Sequence, residues 1–304
     1  MYFFKRLLFA IPLLLVISAL AFALMHLAPG GPFDRERAPA SPEVERNLQS
    51  KYHLDEPVWK QYCRYLGDLV RGDFGFSMKY RNHTVNDIIA QGLPVSLLLG
   101  ALAFGFAMAV GLPVGVFAAA GRGRWPDVAG RFLATLAVCV PGFVVAPLLI
   151  LVFSIKWKLL PVGLWESPWH MILPPIALGL FFAGKVARLM REGVLSAIQS
   201  EFVIAARAKG LAETQILWRH AFRIAVLPVV SYSGPMLADL LTGSFVIENI
   251  FQIPGIGVFL VNSSLNRDYP MIIGLSLLYA ILLIGLNLLV DFVYTQLDPR
   301  VKYE

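Results

Sequence analysis

Residues 201–228 read EFVIAARAKGLAETQILWRHAFRIAVLP. This stretch is too apolar for a disordered loop and too charged to cross a bilayer, with Arg207, Lys209, Arg219 and Arg223 set against Glu201 and Glu213. Gly210 separates two helical stretches. Beyond it, Ile216, Leu217 and Ala221 share one apolar stripe while Arg219 and Arg223 lie elsewhere, the pattern of a short amphipathic helix lying under a membrane. Its apolar face must cover something. Periodicity leaves three candidates open: the base of the chain's own bundle, lipid headgroups, or a groove on a partner.

The flanking sequence supplies the membrane. A span needs about 20 mainly apolar residues. Such runs lie near 95–120, 130–155, 171–190, 226–249 and 271–294, with an earlier one at 7–28 behind Lys5 and Arg6. That first run exceeds the roughly 7–15 apolar residues of a signal peptide and no A-x-A site follows it, so it reads as an uncleaved first helix over 1–28. The composition agrees: 57% of residues are hydrophobic and 15% charged, and the mean hydropathy is +0.67. A soluble domain carries about 45–50% apolar and roughly 25% charged residues.

Six spans place the connections 121–131 and 191–225 and the tail 294–304 on the same side as Lys5. Arg122, Arg124 and Arg131 outnumber Asp127 in the first of these connections, and Arg300 and Lys302 sit in the tail. An excess of Lys and Arg marks the cytoplasmic side, so both termini are expected there. The net charge of +6 is thus a matter of orientation rather than nucleic-acid binding. Residues 29–93 are polar and charge-balanced, with Pro29, Pro32, Pro39 and Pro42 early, and read as a small periplasmic cap. One or two short helices are expected in 42–71 and a loop in 72–84. The membrane core then runs over 94–293. Within it Gly111 and Gly115 form a G-x-x-x-G pair that permits close helix packing, and Pro113 and Pro141 suggest kinks.

Several chemistries find no support. Gly179 to Lys185 spells the start of a phosphate-binding loop, but Val186 stands where Ser or Thr must bind Mg²⁺, and the intervening LFFA is apolar. There is no H-E-x-x-H or G-x-S-x-G pattern, and the histidines at 26, 53, 83, 170 and 220 are scattered. Cys63 and Cys139 fall on opposite sides of a lipid boundary without metal-ligand spacing, so unpaired thiols are expected. No catalytic residue and no metal site is expected.

The 201–228 stretch resembles the cytoplasmic loop of binding-protein-dependent ABC importer permeases, whose pattern is E-A-A, three residues, Gly, nine residues, I-x-L-P. Ala205 and Ala206 match, and Gly210 has the required spacing. Ile204 replaces the glutamate, and Leu227-Pro228 arrives late, after His220-Ala221-Phe222-Arg223. The A-R-A-K-G-L…R-H-A form is similar to the peptide-importer branch. A second match is GSFVIENIFQIPGIGVFLVNSSLNRDY over 243–269, with P-G-I-G at Pro254 to Gly257. L-A-P-G at 27–30, K-Y-H-L-D-E-P from Lys51, G-D-F-G at 72–75 and D-P-R at 298–300 extend the likeness over nearly the whole chain, toward the B-type subunits of oligopeptide permeases.

The resemblance implies an all-α membrane protein with the type I ABC importer permease fold, six transmembrane helices and a small periplasmic insertion after the first. It implies a second, homologous permease subunit, two ATPase subunits that carry ATP and Mg, and an extracytoplasmic binding protein that delivers peptide. The chain itself would bind no cofactor. Residues 196–223 would be the coupling segment, with Ala205, Ala206, Lys209, Gly210, Leu211 and His220 meeting the ATPase. Pro254, Gly255 and Gly257 would form an external turn, which a Pro and two glycines suit physically. The same family also imports dipeptides, nickel chelates and murein peptides.

Asp239 and Glu248 lie in or at the end of the fifth span. A charge there costs on the order of 2.5–3.5 kcal/mol on insertion scales, so it should face protein or water. Asp239 suits either a peptide ammonium or the partner permease, and Glu248 suits a structural role. A self-sufficient secondary transporter would carry an inverted repeat, and none relates 1–150 to 151–304. An intramembrane enzyme would need paired aspartates, and the surroundings of Asp239 and Asp291 do not supply them.

Overall fold

Hydrocarbon offers no partner for an unpaired backbone amide, so a spanning chain must satisfy its peptide groups internally. The computed structural model describes residues 2–27, 55–80, 82–242 and 244–297, and helix dominates them. The 28–30 part of L-A-P-G, the 51–54 part of the K-Y-H-L stretch, any helix over 42–54, and the tail 298–304 lie outside the described residues. The chain divides into two units, one formed by Met1–Val95 and Gly255–Ile284, the other by Ser96–Pro254 with the chain from Gly285 onward.

In the first unit, helix α1 (Tyr2–Leu27) is lined by α2 (Val58–Val70). Ser18 and Tyr62 hydroxyls share a 2.8 Å hydrogen bond, and His26 meets Gln61 Oε1 at 3.3 Å. Phe22 packs with Tyr269, Ile273 and Leu277 beneath Tyr65, Leu69 and Phe74. The expected loop at 72–84 is present and is closed by a single antiparallel bridge, Phe76 to Thr84. The buried Asp268 carboxylate pins this loop: it accepts from Ser77 Oγ, and from the Met78 and Lys79 amides at 3.1 and 3.4 Å.

Helix α3 (Val85–Ala120) begins ten residues before the expected span at 95. Its start is a reciprocal cap: the Asp87 amide donates to Thr84 Oγ1 at 3.1 Å, and the Thr84 amide donates to Asp87 Oδ2 at 3.0 Å. Asn86, Asp87 and Gln91 make its first turns polar, and the apolar run follows. A helix need not stop where the hydrocarbon does.

The second unit is organised on α6 (Leu173–Ile198), entered through a tight turn at Pro168–Met171. Its packing is glycine-lined. A Cβ on Gly111 of α3 would lie 2.7 Å from Val186, and one on Gly115 2.5 Å from the Ala187 carbonyl. On α6 itself, Gly184 would meet the Ala134 carbonyl at 2.6 Å, and Gly193 the backbone of Ala225. The G-x-x-x-G pair thus serves packing within the chain. Gly179 to Lys185 is plain helix.

The expected span 130–155 is a bent pair. Helix α4 (Trp125–Cys139) and the helical run from Gly142 to Lys156, which opens as α5 (Gly142–Leu149), meet at 101°. The cause is Pro141, which disfavours helical backbone in the residue before it; Val140 is extended, with φ −94 and ψ 116. At the start of α4, Asp127 accepts from Arg191 Nε at 2.7 Å and from the Gly123 amide at 3.1 Å, tying this corner to α6.

The chain continues through α7 (Glu201–Ala208) into a helical run over 213–242, whose second part is α8 (Leu227–Thr242), then α9 (Ser244–Ile250), α10 (Ile256–Asn266) and α11 (Tyr269–Leu297). Four described helices are long and apolar enough to cross a membrane, within Val85–Ala120, Pro168–Ile198, Phe222–Leu241 and Tyr269–Leu289, and the bent pair adds a fifth if it is one span. The sixth expected span corresponds to α1, whose apolar stretch among the described residues is the shorter Leu8–Leu24. Cys63 and Cys139 are free and exposed.

Gly115→Leu is expected to destabilise the protein by at least about 1–3 kcal/mol through overpacking against α6. Gly105→Ala, whose Cβ meets nothing within 4 Å, is expected to be neutral or stabilising. Thermal unfolding in detergent, followed by tryptophan fluorescence, separates the two.

Candidate functional site

The segment following α6 folds around Gly210. Helix α7 ends at Ala208, and Gly210 takes φ +76, the left-handed conformation that glycine adopts without penalty. The Gly210 amide donates to the Arg207 carbonyl at 2.9 Å and the Leu211 amide to the Ala206 carbonyl at 3.3 Å. These two bonds are a Schellman cap, in which the first residue beyond the glycine packs back on the helix it closes. Leu211 does so, against a small core of Val203, Ala206 and Ile216. A Cβ at Gly210 would meet nothing within 4 Å, so its requirement is the backbone angle and not space.

One ion pair closes the turn. Arg207 donates to the Glu213 carboxylate through Nε at 2.7 Å and through a terminal guanidinium nitrogen at 3.1 Å. This bidentate bond holds the Glu213 carboxyl below its ordinary range and raises the Arg207 guanidinium. Helical periodicity does not reveal such a pair. Its signal is a cation and an acid placed symmetrically three residues either side of Gly210.

The faces separate cleanly. Val203, Ala206, Ile216 and Ala221 are buried, while Phe202, Ile204, Ala205, Lys209 and Gly210 are exposed and Leu211 is intermediate. Of the three open coverings for the apolar stripe beyond Gly210, the described residues supply the chain's own: Ile216 packs with Val203 and Ala206, Ala221 is buried, and Ala225 further along lies against Gly193 of α6. The stripe belongs to no separate surface helix. Helical backbone continues from 213 through the wider turns of Ile216–Ala221 to 242, with one irregular residue, Val226, ahead of Pro228. The His220 side chain lies outside the described residues.

The remaining candidates lie apart from this turn. Asp239 is exposed on α8. Glu248 is fully buried on α9 and accepts from Ser96 and Ser244 hydroxyls, each at 2.7 Å. Those serine partners, far apart in sequence, were invisible to pattern reading. Pro254 is exposed, and Gly255 and Gly257 are buried; Gly255 precedes α10 with extended backbone, and its carbonyl carbon lies 3.2 Å from where a Gly92 Cβ would be.

Residues 111–303 match the family described as the binding-protein-dependent transport system inner membrane component. The chain belongs to that family: it is the membrane-embedded permease subunit of a binding-protein-dependent ABC importer, a transporter component rather than an enzyme. It is 44% identical to the oligopeptide transport system permease protein OppB of Haemophilus influenzae, over 99% of each chain. It is 45% identical to the OppB of Salmonella typhimurium, over 98% of each. The dipeptide transport system permease protein DppB of Bacillus subtilis is 42% identical over 99% of this chain and 97% of its own. Among solved structures, the fold is similar to the MetNI methionine ABC transporter in an inward-facing conformation, with TM-score 0.58 at 17% identity over 69% of this chain and 96% of that one. An amino acid ABC transporter solved with histidines gives 0.52 at 18% identity, over 69% and 94%. Both solved structures share the all-helical fold expected from the sequence.

Glu213→Gln is expected to raise amide exchange at Gly210 and Leu211 roughly two- to fivefold at neutral pH, the modest effect of an exposed pair. Because the folded-state value of Glu213 is lowered, its stabilisation is present above 4.5 and lost as pH falls below it, so the variant and the wild type converge in acid. Hydrogen exchange read by mass spectrometry at both pH values checks this.

Proposed function

We propose that this permease forms half of the translocation pathway of an ATP-driven peptide importer and receives ATPase motion through the turn at Gly210. The observation that carries the reading is the Schellman-capped turn, which rests on its own small core and presents Phe202, Ala205, Lys209 and Gly210 outward. A surface patch held rigidly from behind suits docking into a cleft on another chain. Peptide is the cargo class common to the relatives, which are named for oligopeptide and for dipeptide transport at similar identity.

In this reading the second permease subunit is homologous, two ATPase subunits bind ATP and Mg, and an extracytoplasmic binding protein supplies peptide. Closure of the ATPases draws the docked turns together and opens the pathway outward; hydrolysis resets it. The docked turn must bind the two ATPase states with different free energy, otherwise nothing is driven. The six-span topology has both termini and residues 196–223 in the cytoplasm and 29–93 outside, with Pro254, Gly255 and Gly257 at the outer face. Asp239 lines the pathway or meets the partner permease. Glu248, buried between two serines, braces α9.

Gly210→Val forces a β-branched residue into left-handed backbone, a strain of roughly 1–2 kcal/mol. It is expected to lower ATP-driven peptide uptake by the reconstituted complex at least tenfold while membrane insertion stays normal, and Gly210→Asn, which tolerates that backbone, to lower it less. Unchanged uptake with normal ATPase co-purification in the valine variant removes the coupling role. A Lys209→Cys variant lacking Cys63 and Cys139 is expected to react with a membrane-impermeant maleimide in inside-out vesicles and not in right-side-out ones. The opposite result reverses the topology.

A further inference from the structure

The middle of α6 carries a lysine that the coupling turn does not use. Lys185 lies within the Pro168–Ile198 span, and its ammonium stands 4.4 Å from the Phe181 ring centroid and 5.5 Å from that of Tyr232 on α8. Among the described residues no carboxylate pairs with it within 4 Å. The Tyr232 hydroxyl is buried and finds no hydrogen-bond partner among the described residues.

An ammonium has three donors and no acceptor, and a phenol supplies one more. Aromatic faces give the ammonium an electrostatic partner but accept no conventional hydrogen bond. Charged groups at membrane depth face a protein interior or a water-filled cavity and mark substrate paths. An ammonium that meets ring faces, beside a tyrosine whose buried hydroxyl has no partner among the described residues, calls for a ligand rich in acceptor oxygen and negative in charge.

We propose that Lys185 and Tyr232 form an intramembrane subsite for the C-terminal carboxylate of the peptide cargo. The assignment rests on the peptide-importer reading. Tyr232 orients the carboxylate by donating its hydroxyl, and Lys185 neutralises it. An anionic terminus thereby crosses the apolar stretch of α6 without being left unpaired.

The test uses the complete complex in proteoliposomes, with binding protein and ATPases, and a mixture of three- to five-residue alanine-rich peptides offered either as free acids or as C-terminal amides. Uptake is read by mass spectrometry. Lys185→Gln is expected to lower uptake of the acids roughly tenfold and leave the amides unchanged, the loss expected for a charge-assisted hydrogen bond. Tyr232→Phe is expected to do the same to a smaller degree, and Lys185→Arg, which keeps the charge, to retain the preference for acids. Each variant is compared with wild type using the same binding protein, so discrimination by that protein cancels. Removing a charge from a span eases insertion, so Lys185→Gln is expected to assemble. Equal loss for acids and amides assigns Lys185 to structure or to a subunit contact and overturns the proposal, as does no change in either. Absence of ATP-driven uptake of both peptide forms by the wild type instead sinks the peptide-importer reading, a distinguishable failure.

Discussion

Close backbone approach to α6 is the constraint on which the second unit depends. Apolar side chains gain little from one another in a medium as apolar as they are, so helices associate through van der Waals fit and local polar contacts. Gly111 and Gly115 of α3, and Gly184 and Gly193 of α6, put neighbouring backbone within reach of positions where a side-chain carbon would collide. Asp127 and Arg191 add a polar tie at one end of the same helix. With α6 held from several sides, the segment that leaves its last residue, Ile198, emerges from a fixed base.

That base makes the turn at Gly210 a defined object rather than a floppy linker. Its polar bonds are local, its small core is drawn from Val203, Ala206, Leu211 and Ile216, and its outward residues are left for contact. Docking surfaces that must report another chain's chemical state benefit from such preorganisation, because less ordering remains to be done on binding.

Much of this was legible in the amino-acid order. The lengths of the apolar runs announced a membrane protein, the Gly111–Gly115 pair announced a tight helix contact, and Gly210 announced a helix end. Other features depend on tertiary context. Pro141 signals a break, but whether the chain kinks slightly or turns through 101° depends on what both halves pack against. The helix beginning at Val85 runs on through Pro94 in its third turn, where the ring forfeits a backbone bond, and the reciprocal Thr84–Asp87 cap sets the earlier beginning. The serines around Glu248 come from positions 96 and 244, so no local pattern joins all three. Chemistry that recurs along one helix can be read from spacing; chemistry assembled from separate helices cannot.

The helical run from 213 to 242 begins just beyond the turn. Its α-helical second part, Leu227–Thr242, spans about 24 Å at 1.5 Å per residue and carries Asp239 near its far end. Wider turns at Ile216–Ala221 and the irregular Val226 precede it, and Pro235 lies inside it. Between the turn and the span the backbone passes from helix to helix without an intervening loop, interrupted at one residue, Val226.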